Sequence, residues 1–273
     1  MTQVTVFDDA AAAGAALAAE IADGIASANV DGRRYLLGCP GGRSPRATYA
    51  ALATEVATRG LDLSGLVIVM MDDYLEPDGS SYRRVPATAH FSCENFAMTE
   101  IAWPVSLGAR GGRIRPDAVW LPDPRDPAAY DDQLRAAGGI DLFILASGAS
   151  DGHVAFNPPG TPAGSRTRVV RLADTTRHDN LATFPRFRDL SEVPHYGVTV
   201  GVATIAELSR RAVLVATGHG KRRAVARLSA AAGYEPDWPA TVVAICRGSS
   251  VYADAASLPG THERPSSDEI STH

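Results

Sequence analysis

The sequence predicts an α/β fold, a doubly wound and mostly parallel sheet with helices on both faces. Two observations carry that reading. Short β-branched or aliphatic runs recur along the chain and are apolar throughout, not alternating, as strands covered on both faces must be. Helix-like stretches separate them, so strand and helix alternate, and parallel neighbours then require right-handed crossovers.

In chain order, Ala10–Ser27 predicts the first helix, being rich in Ala with Leu17 and Ile21 one turn apart. Arg34–Cys39 predicts a buried strand and Ala47–Thr58 the helix behind it. The pattern repeats with strand Leu66–Met71 and helix Ala87–Ile101, then with strand Ile140–Ala146. Strand Ala212–Thr217, helix Lys221–Ala231 and strand Thr241–Cys246 complete the sheet. No repeat, linker or change of composition divides the chain, so residues 1–256 are expected to form a single domain. The polar stretch from Ser257 to His273 has few apolar anchors and is expected to be a flexible tail.

With 273 residues, 45% hydrophobic and 21% charged, the chain can bury a large core without metal or disulfide staples. A net charge of −5 and the absence of a basic run give no reason to expect a nucleic acid or an anionic membrane as partner, which leaves small molecules. Cys39, Cys93 and Cys246 are odd in number and too far apart for a CxxC motif, which argues against a disulfide framework. Residues Met1 to Asp9 lack the basic and apolar regions of a secretory signal, and no apolar run approaches the roughly 18 residues that span a bilayer. A cytoplasmic location is the expectation.

Ligands of open α/β sheets sit beyond the carboxyl ends of the strands, and there the informative residues fall. After the first core strand comes Pro40-Gly41-Gly42-Arg43-Ser44-Pro45-Arg46, a glycine turn leading into a helix. Its glycines permit close backbone approach, the first helical N–H groups face an anion, and Arg43, Ser44 and Arg46 add charged or hydroxyl donors. An ordinary tight turn has the same composition, and the pattern fits neither the dinucleotide fingerprint nor the P-loop. Leu66–Met71 runs into Asp72-Asp73-Tyr74, where repulsion and burial should raise at least one carboxyl pKa, as a proton-abstracting base requires. The bland alternative is a helix cap. After Ile140–Ala146 comes Ser147-Gly148-Ala149-Ser150-Asp151-Gly152-His153, in which Gly152 lets the chain turn so that Asp151 can orient the imidazole. With no second His one helical turn away and no Cys nearby, a metal is not expected there.

These segments, taken with Tyr49, Ser81-Tyr82, Val154-Ala155-Phe156-Asn157, Ser165-Arg166-Thr167-Arg168 and Thr199-Val200-Gly201, resemble the glucosamine-6-phosphate deaminase and 6-phosphogluconolactonase superfamily. The resemblance runs in order from about Tyr35 to Leu228 and implies a modified Rossmann-like sheet. For the deaminase branch it implies that Asp72 takes the C2 proton of an open-chain sugar phosphate while His153, oriented by Asp151, assists ring opening. It further implies that Lys221 and the loop of Gly41, Gly42, Arg43 and Ser44 hold the phosphate, with Asp73 and Gly148 in the substrate-binding set. No cofactor is implied, since an aldose-to-ketose shift needs only acid and base groups; a homo-oligomer is among the partners the family suggests.

Two positions depart from the deaminase pattern. Pro158 stands where that branch keeps a proton-relaying Glu, and Ala182 where it keeps a phosphate-contacting Arg. Loss of the Glu moves the chain toward the lactonase branch, in which the His would activate water against a lactone carbonyl. Three readings therefore stand at this point: an amino-sugar phosphate deaminase or isomerase, with the same or an altered substrate; a sugar-phosphate lactonase; and a catalytically silent sugar-phosphate binder.

Overall fold

Seven parallel strands form the central sheet of the computed structural model, which describes residues 2–259. They are β1 (Gln3–Phe7), β2 (Tyr35–Cys39), β3 (Leu66–Met70), β6 (Val119–Trp120), β7 (Leu142–Ala146), β10 (Ala212–Ala216) and β11 (Ser249–Asp254), in the spatial order β1-β11-β10-β7-β2-β3-β6. Successive residues of a strand point to opposite faces, and the two faces feed separate cores. Leu37, Ile68 and Met70 pack with α1 (Ala10–Val30) and α2 (Arg46–Arg59). Leu36, Val67, Val69, Leu145 and Leu214 pack on the other side with α5 (Pro127–Ala136), α7 (Val202–Leu208) and α8 (Arg222–Ala230). Helices therefore cover both faces, as the apolar runs required.

A second sheet, not expected from the sequence, lies beside the first. Instead of turning into a loop after β3, the chain passes through Met71 directly into β4 (Asp72–Asp78), which pairs antiparallel with β5 (Ser81–Arg84) and β9 (Tyr196–Thr199). β8 (Arg168–Arg171) completes the 4-stranded order β5-β4-β9-β8. These strands carry Asp, Glu, Arg, Ser and Pro, which masks them in a search for apolar runs.

Two further expectations are corrected. Thr241–Cys246 is not a strand: residues Pro239–Ala244 form a 3₁₀ helix. Pro239 sets the first φ, and the Thr241 hydroxyl accepts from the Glu235 N–H at 2.8 Å and donates to the Trp238 carbonyl at 2.7 Å. Buried apolar runs of this length fit a helical turn as well as a strand. The last strand is β11, inserted between β1 and β10. Within Ala87–Ile101 the helix begins only at Cys93, where the Ser92 side chain caps the Asn95 N–H, and it continues as α3 (Cys93–Phe96), a π turn (Ala97–Ala102) and α4 (Trp103–Ser106). The remaining helix, α6 (Asp174–Thr183), was not anticipated.

α1 is 21 residues long and, by length and composition, apolar enough to cross a membrane, contrary to the expectation that no run reaches that length. Its buried face, Leu17, Ala18, Ile21 and Ile25, instead packs in the core beside α2. At the other end, Ala255–Ser257 is a short 3₁₀ turn capped by Asp254, with Ser257 buried. It belongs to the folded unit; residues 260–273 of the expected tail lie outside the described residues.

Candidate active site

β10, β7, β2 and β3 are neighbours in the sheet, and the segments leaving all four line one cavity of about 150 Å³. Chain order reverses between β2 and β7: β3 and β6 lie to one side, β10 and β11 to the other. Such a crevice is where open α/β sheets take ligands. Asp72, His153, Gly41, Gly42, Arg43, Ser44, Gly148 and Lys221 all line the cavity. Asp151 stands behind His153, and Asp73 is not among the lining residues.

The turn after β7 is built around a His–Asp pair. The Asp151 Oδ1 lies 2.7 Å from His153 Nδ1 and accepts the His153 backbone N–H at 3.1 Å. Its Oδ2 accepts from the Thr175 hydroxyl on α6, while the Thr176 hydroxyl sits 3.4 Å from the same imidazole nitrogen. Burial alone would raise the Asp151 pKa, but the bonds and charge of His153, with Thr175, hold it well below the ordinary carboxylate value. Two glycines make the turn feasible. Gly152 has φ +67°, and a Cβ there would meet the Trp238 ring at 2.2 Å; a Cβ on Gly148 would lie 2.3 Å from His153 Nδ1. Beyond the pair, Asn157 Nδ2 donates to the Val154 and Val200 carbonyls and Arg168 Nη1 donates to Asn157 Oδ1, and these bonds pin the loop to the second sheet. Ala155, which lines the cavity, is held at φ +52°, a strained value for a residue with a side chain.

The adjacent acids have different tasks. Asp72, at the junction of the two sheets, faces the cavity beside Met71, Tyr74, Cys93 and Phe156. Burial, and to a lesser extent the Asp73 charge, push its pKa up from 3.8 to about 7, against a hydrogen bond from the Cys93 thiol at 3.4 Å. Asp73 is wholly buried, and its Oδ1 accepts the N–H groups of Tyr74 at 2.8 Å and Cys93 at 2.9 Å. Burial raises its pKa to about 6 despite those bonds. Asp73, expected in the substrate-binding set, is not among the residues lining the cavity; it anchors the start of α3.

Opposite charge gathers where β2 and β10 end. Gly42 has φ +100°, and the Tyr49 hydroxyl donates to the Pro40 carbonyl at 2.9 Å, fixing the glycine loop above the first turn of α2. Lys221 closes the 3₁₀ turn His219–Lys221 after β10; Asp254 holds that turn through the Gly218 N–H at 2.9 Å. The Lys221 ammonium donates to the Ser147 carbonyl. Its pKa is lowered, chiefly by burial and also by the Arg43 charge, with Asp179 and Asp151 acting the other way. Arg83 pairs with Glu76 and Arg84 with Glu94, so neither adds to this cluster.

Sequence reasoning missed the α6 contribution. Thr176, Asp179, Asn180 and Thr183, spaced by one helical turn, present one polar face to the cavity. The i, i+3, i+4, i+7 spacing of those polar residues was the available signal. Neither Pro158 nor Ala182 is among the lining residues, and Ala182 is exposed. Among the described residues, one set of side chains, Asp151, His153 and Asp179, brings potential metal-ligating atoms within 4.8 Å of one another, but the Asp151–His153 hydrogen bond already engages two of those groups.

Comparison with known proteins agrees with this geometry. Residues 8–252 match the profile of a family described as glucosamine-6-phosphate isomerases/6-phosphogluconolactonase. The chain is 36% identical over 226 residues to a glucosamine-6-phosphate deaminase of Streptomyces avermitilis, covering 82% of this chain and 79% of the relative. It is 34% identical over 254 residues to one of Beutenbergia cavernae, covering 93% and 90%. Among solved structures, a monomeric glucosamine-6-phosphate deaminase superimposes with a TM-score of 0.79 at 24% identity, covering 93% of this chain and 98% of that one. A 6-phosphogluconolactonase from Leishmania guyanensis does so with a TM-score of 0.68 at 16% identity, covering 96% and 99%.

Proposed function

We propose that this chain, which belongs to the glucosamine-6-phosphate isomerase and 6-phosphogluconolactonase family, converts a 2-amino-2-deoxy sugar phosphate to the ketose phosphate with release of ammonia. The observation that carries the proposal is the meeting of a buried carboxyl of raised pKa, Asp72, with the His153–Asp151 pair on one cavity whose other wall bears Arg43 and Lys221. Lys221, Arg43, Ser44 and the backbone of Gly41 and Gly42 hold the phosphate, and Gly148 leaves room for the His153 imidazole. With His153 assisting, the ring opens and exposes the C1 aldehyde, which acidifies the proton on C2. Asp72 takes that proton, exchanges it with solvent and protonates C1 of the resulting enolamine, while a proton passes from the amino nitrogen to the C1 oxygen; the imine left at C2 is hydrolysed by water to the ketone and ammonia. The steps need no cofactor. A phosphorylated sugar does not cross a bilayer unaided, so we read the chain as cytoplasmic.

The test is a panel of phosphorylated and unphosphorylated amino sugars assayed for ammonia. Release from glucosamine 6-phosphate, with far slower turnover of the unphosphorylated sugar, is the expected result. Pro158 favours a second reading, hydrolysis of a sugar-phosphate lactone with His153 as general base; rapid hydrolysis of 6-phosphogluconolactone without ammonia release from any amino sugar would establish it instead. Binding of sugar phosphates with no turnover of either class would mark a silent binder.

A further inference from the structure

Opening a cyclic hemiacetal is a two-proton task. The bond between C1 and the ring oxygen breaks, a C1 carbonyl forms, the anomeric hydroxyl loses a proton and the ring oxygen gains one. His153 can serve one of these transfers. Asp151 is committed, with one oxygen on His153 and the other on Thr175. Asp72 sits against Cys93 and serves C2. Pro158, which has no titratable group, contributes nothing.

The cavity nevertheless holds another carboxylate. Asp179 lies on the cavity face of α6, one turn after Thr176. Oxygens of Asp179 and Asp151 and a ring nitrogen of His153 all fall within 4.8 Å of one another. Among the described residues nothing donates to the Asp179 side chain in a hydrogen bond or an ion pair of ordinary length, although its charge is felt at Lys221. A free carboxylate facing a sugar-sized cavity, one bridging hydroxyl away from an oriented imidazole, is placed for proton exchange.

We infer that Asp179 is the second proton carrier of ring opening, acting with His153; this rests on reading the cavity as a sugar-phosphate site. Asp179 takes the proton of the anomeric hydroxyl while protonated His153 gives one to the ring oxygen. The proton then passes from Asp179 to His153 across the bridging hydroxyl or a water, and both groups end as they began.

Ring opening can be watched with little deamination in Asp72→Asn, where substrate should be consumed about 10²–10⁴ times more slowly. Exchange between the α and β anomers of glucosamine 6-phosphate, measured by two-dimensional exchange NMR, reports ring opening alone. Asp72→Asn is expected to accelerate exchange over buffer, and adding Asp179→Asn to cut that acceleration at least about tenfold, with the sugar-phosphate Kd within about threefold. Exchange within twofold of the Asp72→Asn parent, or a change in Kd alone, would overturn the inference, the latter marking Asp179 as a binding residue. Ammonia release by the natural chain without any accelerated exchange in Asp72→Asn would also overturn it. Exchange that depends on Asp179 in a chain that releases no ammonia would uphold Asp179 and remove the deaminase reading.

Discussion

The wall of the cavity around Asp72 and the wall around Lys221 handle charge by opposite means. At the first, the carboxyl is buried beside Tyr74, Cys93 and Phe156, and that burial drives it toward its neutral form, its pKa pushed up to about 7. At the second, Lys221 and Arg43 face the cavity with Asp179 beside them and backbone groups of the glycine loop below. Under the proposed function, the first wall supplies the base and the second the phosphate site. Burial, more than the neighbouring Asp73, raises the Asp72 pKa, the Asp73 charge being the smaller contribution.

Substitutions on each wall should separate the two tasks. Asp72→Asn removes the proton acceptor and is expected to lower ammonia release by about 10²–10⁴ in kcat, with any lactone hydrolysis spared. Retained deamination in that variant would remove the assignment of the base. On the opposite wall, Lys221→Ala deletes the proposed phosphate contact. It should raise KM for phosphorylated sugar by about 10–100-fold with a smaller change in kcat, as steady-state kinetics will show. If kcat falls instead, Lys221 is serving the chemistry and the division between the walls fails.

The Asp72 wall also predicts opposite pH trends for activity and stability. The base works only when charged, so ammonia release should decline as pH falls, with a midpoint near pH 7. Folding favours the protonated carboxyl, since burial raises the folded pKa above its ordinary 3.8. That stability is full below about pH 4 and is lost as pH rises through about 7. Asp72→Asn should therefore be more stable than the natural chain at pH 8, by about 2–4 kcal/mol, and lose the advantage toward pH 4; thermal unfolding across that range measures it. Smaller still is the effect of Cys93→Ala. Removing the thiol that donates to Asp72 should move the acid limb of activity upward by up to about one pH unit, and a downward shift would show that the thiol opposes the charged form.

Much of the second wall was legible in the sequence. Cys39-Pro40-Gly41-Gly42 and Thr217-Gly218-His219-Gly220-Lys221 each follow an apolar strand, and the ligand edge of a parallel sheet follows from strand direction alone. Asp151-Gly152-His153 was equally readable, because a glycine between an acid and an imidazole fixes their relation locally. The Asp72 wall was only half readable. Its acid pair announced itself, but which acid faces the cavity is decided by the pleat of β4, a strand of the antiparallel sheet hidden by its polar composition. Cys93 and Asp179 arrive from helices 20 and more residues away, with no local motif to connect them to the strand ends. Thr241–Cys246 failed for a related reason: burial makes a run apolar, but Pro239 and the Thr241 hydroxyl set its conformation.

If Asp72 moves the proton on C2, isotope exchange reads that step directly. Glucosamine 6-phosphate incubated in D₂O with the natural chain should yield ketose phosphate carrying solvent deuterium at C1, while with Asp72→Asn the C2 proton should survive many times longer. Loss of the C2 proton at the natural rate in Asp72→Asn would show that another group moves it.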